Sequence, residues 1–235
     1  MKHIILVAIN KALGLFNLRI SRKPNGSADK SYIAGMESSI ARKFFWVSVY
    51  FETKSLEGSI AEFGVAAGTG LAFWLNLKRQ FSDGCELWAF DSFQGFPAGT
   101  PEKDAGWFLD RGKPIYGQFT VQYVKQFLKI AGHSDQEIDE KVVFVPGFIP
   151  ESLRNLELKQ IKLANLDLDL YQSTLDALNF VWPRMVENGI VIFDEYDVGS
   201  DLEKWPGSKI AVDEFCEAHN LVLNRHFTGR VYLVK

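Results

Sequence analysis

Two aspartates follow a buried strand in the stretch "LANLDLDLYQST", which runs from residue 163 to residue 174. The apolar run 161–166 predicts a strand buried on both faces, and Asp167 and Asp169 come directly after it. Residues two apart in a strand point the same way, so both carboxylates should project together from its carboxyl end. Like charges this close need a cation, a hydrogen-bond donor or a shared proton. The sequence should therefore contain a partner for them.

A second acidic pair ends the apolar stretch "GIVIFDEYD", where Asp194 and Glu195 follow a predicted strand at 190–193. Parallel strands end at one edge of their sheet, which would bring this pair close to Asp167. Three carboxylates converging there suit a hard divalent cation such as Mg2+, which leaves coordination positions for water and substrate hydroxyls. The alternative is that Asp194 and Glu195 are solvated charges at the end of a strand.

Glycines mark the end of the first predicted strand, 59–63, in the stretch "AEFGVAAGTG". Gly64, Gly68 and Gly70 form a GxxxGxG run between a strand and a helix, where glycine lets the backbone approach a ligand or a packed neighbour. The spacing differs from the GxGxxG run of dinucleotide-binding enzymes, which disfavours a nicotinamide dehydrogenase. Asp91 ends the next strand and could accept hydrogen bonds from both ribose hydroxyls of a nucleoside, or cap the turn that follows.

Short apolar runs alternate with helical patterns through the rest of the chain. Strands are predicted at 59–63, 86–90, 142–145, 161–166 and 190–193, with helices at 32–53, 71–81, 121–131, 173–186 and 210–219. Two last strands, near 221–224 and 230–234, are close enough to form an antiparallel pair. This order predicts an α/β fold, a doubly wound, Rossmann-like, seven-stranded and mostly parallel sheet with an antiparallel C-terminal hairpin, preceded by N-terminal helices.

Composition limits the partners of this domain. The chain has 235 residues, is 47% apolar and 23% charged, and carries a net charge of -3, which is typical of a soluble globular protein and argues against nucleic acid. Cys85 and Cys216 have no metal-ligand spacing and predict reduced thiols in a cytoplasmic protein. No GxSxG, HExxH or P-loop motif occurs, so serine hydrolysis and phosphoryl transfer have little support.

Two segments fall outside the alternating pattern. The first residues, "MKHIILVAI", are too short an apolar run for a membrane span of about 20 residues. Together with the basic residues that follow, they could form an amphipathic helix that packs on the domain, on a second subunit or, less commonly, on a membrane. The interval 92–117 holds five glycines, three prolines and several aromatics, which favours a lid or a loop that faces the substrate.

Six stretches, taken together, resemble the macrocin O-methyltransferase family: "EFGVAAGTG", "FDSFQGFP", "FVPGFIPESL", "LDLDLYQSTLDALNFVWPRM", "GIVIFDEYD" and "KIAVDEF". The resemblance extends from about residue 35 to the end of the chain. Members of this family are class I S-adenosylmethionine-dependent enzymes that methylate sugar hydroxyls of antibiotics and related glycosides. The resemblance implies division into N-terminal helices at 1–57, which cap the site or mediate oligomerisation, and a methyltransferase domain at 58–235.

The resemblance also implies a role for each motif. The methionine part of the cofactor would lie against Glu62, Gly64, Ala66, Gly68, Thr69 and Gly70. Asp91 would hold the ribose, Ser92 and Phe93 would border the adenine, and Phe148 is either a further adenine wall or a core residue. Asp167, Asp194 and Glu195 would bind the Mg2+ ion, and Asp169 would take the proton from the acceptor.

Two departures from the family pattern affect these roles. Glu195 stands where an aspartate is usual, and Leu168 stands where a glycine usually separates the two aspartates. If Glu195 is not a ligand, Asp197 is the reserve candidate. The acceptor could also be a phenol or a catechol, because such enzymes use a similar trio of ligands. A nucleoside-binding module without catalysis would keep the glycines and Asp91 but would not need Asp169.

Overall fold

The computed structural model describes residues 30–96, 103–104, 117–197 and 205–235, with side chains from residue 39 onward. The strands are β1 Ser59–Phe63, β2 Leu87–Asp91, β3 Val142–Pro146, β4 Ile161–Leu166, β5 Met185–Phe193, β6 Asn224–Arg225 and β7 Val231–Val234. The α-helices are α1 Lys30–Thr53, α2 Thr69–Gln80, α3 Val121–Ile130, α4 Asp135–Lys141, α5 Tyr171–Val181 and α6 Pro206–His219. The alternation of strand and helix predicted from the sequence is confirmed.

All seven strands form one sheet in the order β3-β2-β1-β4-β5-β7-β6. The first five strands are parallel, whereas β7 runs antiparallel to both β5 and β6. The chain moves outward from β1 to β2 and β3, and then returns to place β4 on the other side of β1. Ligands in open α/β sheets bind at the carboxyl ends of the strands beside such a reversal.

Two apolar cores cover the two faces of the sheet, because successive residues in a buried strand point to opposite sides. Ile60 packs with α1, α2 and α3, whereas its neighbour Ala61 packs with α5 and α6. Trp74 is fully buried in the first core, where its ring stacks on that of Trp46 from α1. Helix α1 therefore shares a core with the sheet; a division of the chain at residue 57 stays a prediction.

Several predicted elements have other bounds in the structure, and for two of them the local chemistry gives the reason. The helix predicted at 173–186 ends at Val181, a 3-10 turn follows at Trp182–Arg184, and β5 already begins at Met185. Pro183 has no N–H to donate within a continuing helix. The strand predicted at 221–224 is reduced to Asn224–Arg225, because Asn220 ends α6 in a left-handed conformation and the Leu221 N–H bonds back to the helix.

Short helix α4 was not predicted, although Ser134 caps it by accepting a hydrogen bond from Glu137 N–H. The predicted amphipathic helix near the first residue and most of the interval 92–117 lie outside the described residues. Among the helices of the described ranges, none is long and apolar enough to cross a bilayer.

Candidate active site

One cavity of about 310 Å³ opens at the carboxyl ends of β1, β2, β4 and β5. The reversal between β1 and β4 lies at its base, so the strand ends on either side supply its walls. The predicted site residues that line it are Gly64, Ala66, Asp91, Ser92, Phe148, Asp167, Asp169, Asp194 and Glu195. The fold thus gathers in one place residues that are spread over much of the sequence.

The turn after β1 is wound around the Asp91 carboxylate. Asp91 Oδ2 accepts hydrogen bonds from the Val65 and Ala66 N–H groups at 2.9 and 3.0 Å, and Oδ1 accepts from Phe93 N–H at 2.7 Å. A carboxylate offers about four acceptor sites, so about one remains for a ligand hydroxyl. Asp91 therefore shapes the glycine turn as well as facing the cavity.

Close packing explains the glycines of this turn. A β-carbon on Gly64, whose φ is +86°, would lie 1.7 Å from the Asp167 carbonyl oxygen. On Gly68 it would lie 2.8 Å from the Val124 side chain, and on Gly70 it would lie 1.7 Å from Glu62 Oε1. At each of these positions a neighbour within the protein leaves no room for a side chain. The neighbours are Asp167 after β4, Val124 on α3 and the Glu62 carboxylate on β1.

Five of the predicted cofactor residues are not among those that line the described cavity: Glu62, Gly68, Thr69, Gly70 and Phe93. Phe93 is buried in the first core, with its ring centroid 6.1 Å from that of Phe144. Glu62 lies beneath the first turn of α2, and burial raises the pKa of its carboxyl group well above the ordinary value, with the charge of Asp167 adding to the effect. Any role of these residues toward a cofactor stays a prediction.

The acidic residues of β4 and β5 converge as the sequence predicted they would. Asp167, Asp194 and Glu195 each offer a carboxylate oxygen, and these oxygens all lie within 4.8 Å of one another. Strand β4 ends at Leu166, before the two aspartates, and Asp169 has a left-handed φ of +65°. The alternation of a strand therefore does not govern these two side chains; a tight turn brings Asp169 to the same cavity.

Crowding and burial change the acidity of this cluster. Burial, and then the charge of Asp194, raises the pKa of Asp167 to about 7. Burial, followed by the charges of Asp167 and Asp169, raises the pKa of Glu195 well above its ordinary value. Asp167 and Glu195 also hydrogen bond to each other, and this contact raises the pKa of Glu195 further while it lowers that of Asp167.

Two arginines that the sequence analysis did not single out lie against the cluster. Arg42 Nη1 donates to Asp194 Oδ2 at 2.7 Å, and Arg230 Nη1 donates to Asp194 Oδ1 at 3.0 Å. No spacing signal connects these residues, because one lies on α1 and the other just before β7. By contrast, the reserve candidate Asp197 forms a two-point ion pair with Arg225, at 3.0 and 2.7 Å.

The cluster fits a divalent cation. Glu195 Oε2 is buried without a hydrogen-bond partner, and the two raised pKa values show that the negative charges lack full compensation. Each Asp194 oxygen keeps a free lone pair beside its arginine bond. Carboxylates alone, without histidine or cysteine, favour a hard ion such as Mg2+ over a transition metal.

Aromatic and apolar residues form part of the cavity wall. The rings of Phe96 and Trp205 lie with centroids 5.9 Å apart, and both residues line the cavity. Leu168, Leu170 and Ser173 complete this wall. The cavity therefore combines a charged base with an apolar side that suits the ring of a small molecule.

A solved structure shares this fold. "Structure of the O-methyltransferase NovP" matches with a TM-score of 0.65 at 23% identity, covering 86% of this chain and 78% of that one. The sequence profile described as Macrocin-O-methyltransferase (TylF) matches residues 48–225. The chain belongs to the macrocin O-methyltransferase family.

Two curated proteins with similar sequences are named as O-methyltransferases. The 8-demethyl-8-(2,3-dimethoxy-alpha-L-rhamnosyl)-tetracenomycin-C 4'-O-methyltransferase of Streptomyces olivaceus is 29% identical over 60% of this chain and 54% of its own length. The demethyldecarbamoylnovobiocin O-methyltransferase of Streptomyces niveus is 28% identical over 68% of this chain and 59% of its own. The matched region thus spans somewhat more than half the length of these relatives.

Proposed function

We propose that this protein transfers the methyl group of S-adenosylmethionine to a hydroxyl group of a sugar or glycosylated metabolite, with the help of a divalent cation. The observation that carries the proposal is that one cavity is lined both by Gly64 and Asp91 and by the carboxylate cluster of Asp167, Asp194 and Glu195. Family membership supports the reaction, and the sugar in the first relative's name supports the acceptor class.

The two halves of the cavity would bind different groups. Gly64, Ala66, Asp91, Ser92 and Phe148 would hold the cofactor, and Asp167, Asp194 and Glu195 would hold Mg2+ or a similar ion. When bound, the cofactor supplies a reactive sulfonium methyl group and the ion lowers the pKa of an acceptor hydroxyl. The protein would bind the cofactor and the ion at the same strand ends and orient the acceptor hydroxyl.

Asp169 is the proposed general base. It lines the cavity, and its charge contributes to the raised pKa of Glu195, which indicates that the two carboxyl groups are close. A sugar hydroxyl is a poor nucleophile at neutral pH, so a carboxylate that removes its proton as the methyl group transfers would accelerate the reaction. The apolar wall of Leu168, Phe96 and Trp205 would limit the access of water.

The first test measures ligand binding by the full chain. Thermal unfolding is followed with S-adenosylmethionine, its demethylated product or NAD, each with and without Mg2+, because a ligand that binds only the folded state raises the melting temperature. We expect stabilisation by both S-adenosyl compounds. Stabilisation by NAD alone would contradict the proposal and indicate a nicotinamide-dependent dehydrogenase.

The second test measures methyl transfer from labelled S-adenosylmethionine to a panel of glycosides, phenols and catechols, with Mg2+ or EDTA. We expect methylation of a glycoside that EDTA abolishes. Methylation confined to catechols would show that the acceptor is a catechol and not a sugar. Cofactor binding without transfer to any panel member would favour a non-catalytic nucleoside-binding module.

The third test compares Asp169→Asn with Asp197→Asn. Loss of a general base should lower the turnover number about 100-fold or more while cofactor affinity is kept. Asp197 lies on the same edge of the sheet but is paired with Arg225, so its variant should retain turnover and ion dependence. Equal turnover in the two variants would remove Asp169 from the mechanism.

Location and assembly complete the proposal. The free thiols of Cys85 and Cys216 support a cytoplasmic protein, since both cysteines are unpaired in the described chain. The exposed aromatic rings of Phe44 and Phe51 on α1 support contact with a second subunit. Size-exclusion chromatography with light scattering tests the assembly, and a monomer at micromolar concentration would contradict it.

A further inference from the structure

Two arginines hold the carboxylate of Asp194 from opposite ends of the chain. Arg42, on α1, engages Oδ2 at 2.7 Å, with a third of its side chain exposed. Arg230, whose side chain is only 5% exposed, engages Oδ1 at 3.0 Å and also donates to the Asp194 carbonyl oxygen at 3.0 Å. Asp194 is thus the one member of the carboxylate cluster for which both oxygens are bonded to cations within the described chain.

The two arginines differ in what they can affect. Arg230 is buried and bonds to both the side chain and the backbone of Asp194, which makes it part of the packing between β5 and the C-terminal hairpin. Arg42, unlike Arg230, is among the residues that line the cavity, and a third of its side chain is exposed. Its positive charge therefore acts on whatever the cavity binds.

We propose that Arg42 is a positioning residue that both holds Asp194 and weakens divalent-ion binding by the carboxylate cluster. This inference rests on the proposed ion site. An ion held by Asp194 and Glu195 would lie within a few ångströms of the Arg42 guanidinium, and like charges at that distance repel strongly at the intermediate dielectric of a half-buried site. Binding of the ion would then stay weak enough for the ion to exchange.

The neighbouring cation, Lys43, can replace the charge of Arg42 only in part. Lys43 Nζ lies 3.8 Å from the centre of the Trp46 ring and 4.5 Å from that of Phe73, so its ammonium group is held by the aromatic core. Burial, together with the charge of Arg42, lowers the pKa of Lys43 to about 8. Replacement of Arg42 should remove the charge that contacts Asp194 directly, while Arg230 keeps the carboxylate in place. Lys43 would regain part of its own charge, which offsets part of this loss.

The test measures Mg2+ affinity by calorimetry and Mn2+ affinity by electron paramagnetic resonance in the purified full chain. The variants are Arg42→Met, which removes the charge and keeps much of the side-chain length, and Arg42→Lys, which keeps the charge. Arg42→Gln is the second neutral variant if the first does not fold. A pH of about 8.5 is used because it reduces competition from the proton on the Asp167 and Glu195 pair.

We expect Arg42→Met to bind both ions about tenfold more tightly, and Arg42→Lys to stay within about threefold of the parent. Equal or weaker binding by both neutral variants would overturn the inference while leaving the ion site intact. If the parent protein bound neither ion, the ion site of the proposed function and this inference would fall together. Metal affinity separates charge repulsion from a merely structural role, because loss of packing alone would weaken binding.

Discussion

Asp91 and Ala66 are joined by a hydrogen bond of 3.0 Å that crosses from the end of β2 to the turn after β1. The same carboxylate oxygen also accepts from Val65 N–H. A residue expected to bind the ribose is therefore also the residue around which the glycine turn folds. Substitutions at Asp91 should affect the shape of the site and its affinity for a ligand together.

Replacement of Asp91 by Asn should weaken S-adenosylmethionine binding about tenfold or more, because an amide has only one acceptor oxygen for the three backbone N–H groups and a ribose hydroxyl. Calorimetry measures the affinity, and Asp139→Asn on exposed helix α4 is the control. Adenosine affinity should fall in parallel. Unchanged affinity for both ligands would show that Asp91 does not bind the ribose and that the turn keeps its shape without the second carboxylate oxygen.

Replacement of Gly64 by Ala should lower the free energy of unfolding by about 3 kcal/mol, because the new methyl group would collide with the Asp167 carbonyl. Gly229→Ala is a matched control, since its φ of +89° is nearly the same and nothing lies within 4 Å. The control should cost only about 1 kcal/mol, which is the strain of the backbone conformation alone. Urea unfolding of both variants checks this, and equal costs would contradict the close approach of β1 and β4.

Asp104 and Gly207 should act as one unit at the start of α5. Asp104 Oδ1 accepts a 2.8 Å hydrogen bond from Tyr171 N–H, and a β-carbon on Gly207 would lie 1.8 Å from that oxygen. Leu170 offers no side-chain cap, so Asp104→Ala should cost about 1 to 2 kcal/mol of stability. Gly207→Ala should cost at least as much.

A double-mutant cycle measures whether these two effects share one contact. The double variant should lose less than the sum of the single losses, because Gly207→Ala already disrupts the bond that Asp104→Ala removes. Gly84→Ala, with nothing within 4 Å of its new carbon, should be close to neutral. Strict additivity would mean that the two residues stabilise the protein independently.

Divalent-ion binding should tighten as the pH rises through about 7. Asp167 has an ordinary pKa of 3.8 that is raised to about 7 by burial and the charge of Asp194. Between these values the ion-free folded protein binds more protons than the unfolded chain, so its stability should fall as the pH rises. Addition of Mg2+ should reverse the loss most strongly near pH 8, where the proton no longer competes.

Thermal unfolding across pH 5 to 9, with EDTA or with Mg2+, measures this dependence. Asp167→Asn removes the titrating group and should flatten both profiles. A stabilisation by Mg2+ that is equally large at pH 5 and pH 8 in the parent would show that protons and the ion do not share these carboxylates.

Sequence patterns were sufficient for the elements that depend on local chain properties. The predicted bounds of β1 and β4 agree with those observed, since a continuous apolar run marks a strand buried on both faces. The convergence of Asp167 with Asp194 and Glu195 also followed, because parallel order fixes which strand ends meet. These inferences needed only periodicity and topology.

Contacts across the sheet could not be obtained in this way. Nothing near Arg42 or Arg230 in the sequence indicates that the two side chains share Asp194, because their meeting depends on how α1 and β7 pack. Likewise, the sequence left open whether Gly64 and Gly70 approach a ligand or a packed neighbour, and only the structure shows that the backbone of Asp167 and the side chain of Glu62 fill the space beside them. Such requirements exist only once distant segments are in contact.

The two ion pairs of Asp194, with Arg42 and with Arg230, have a consequence for synthesis of the protein on the ribosome. Arg42 belongs to the first described helix and Arg230 directly precedes the last described strand, yet both bond to one carboxylate. A nascent chain that has emerged only as far as β5 already carries all the acidic residues of the cluster but has Arg42 alone to balance Asp194. Asp194 would acquire the second counter-charge only when translation has passed residue 230, which ties maturation of the carboxylate cluster to the C-terminal hairpin.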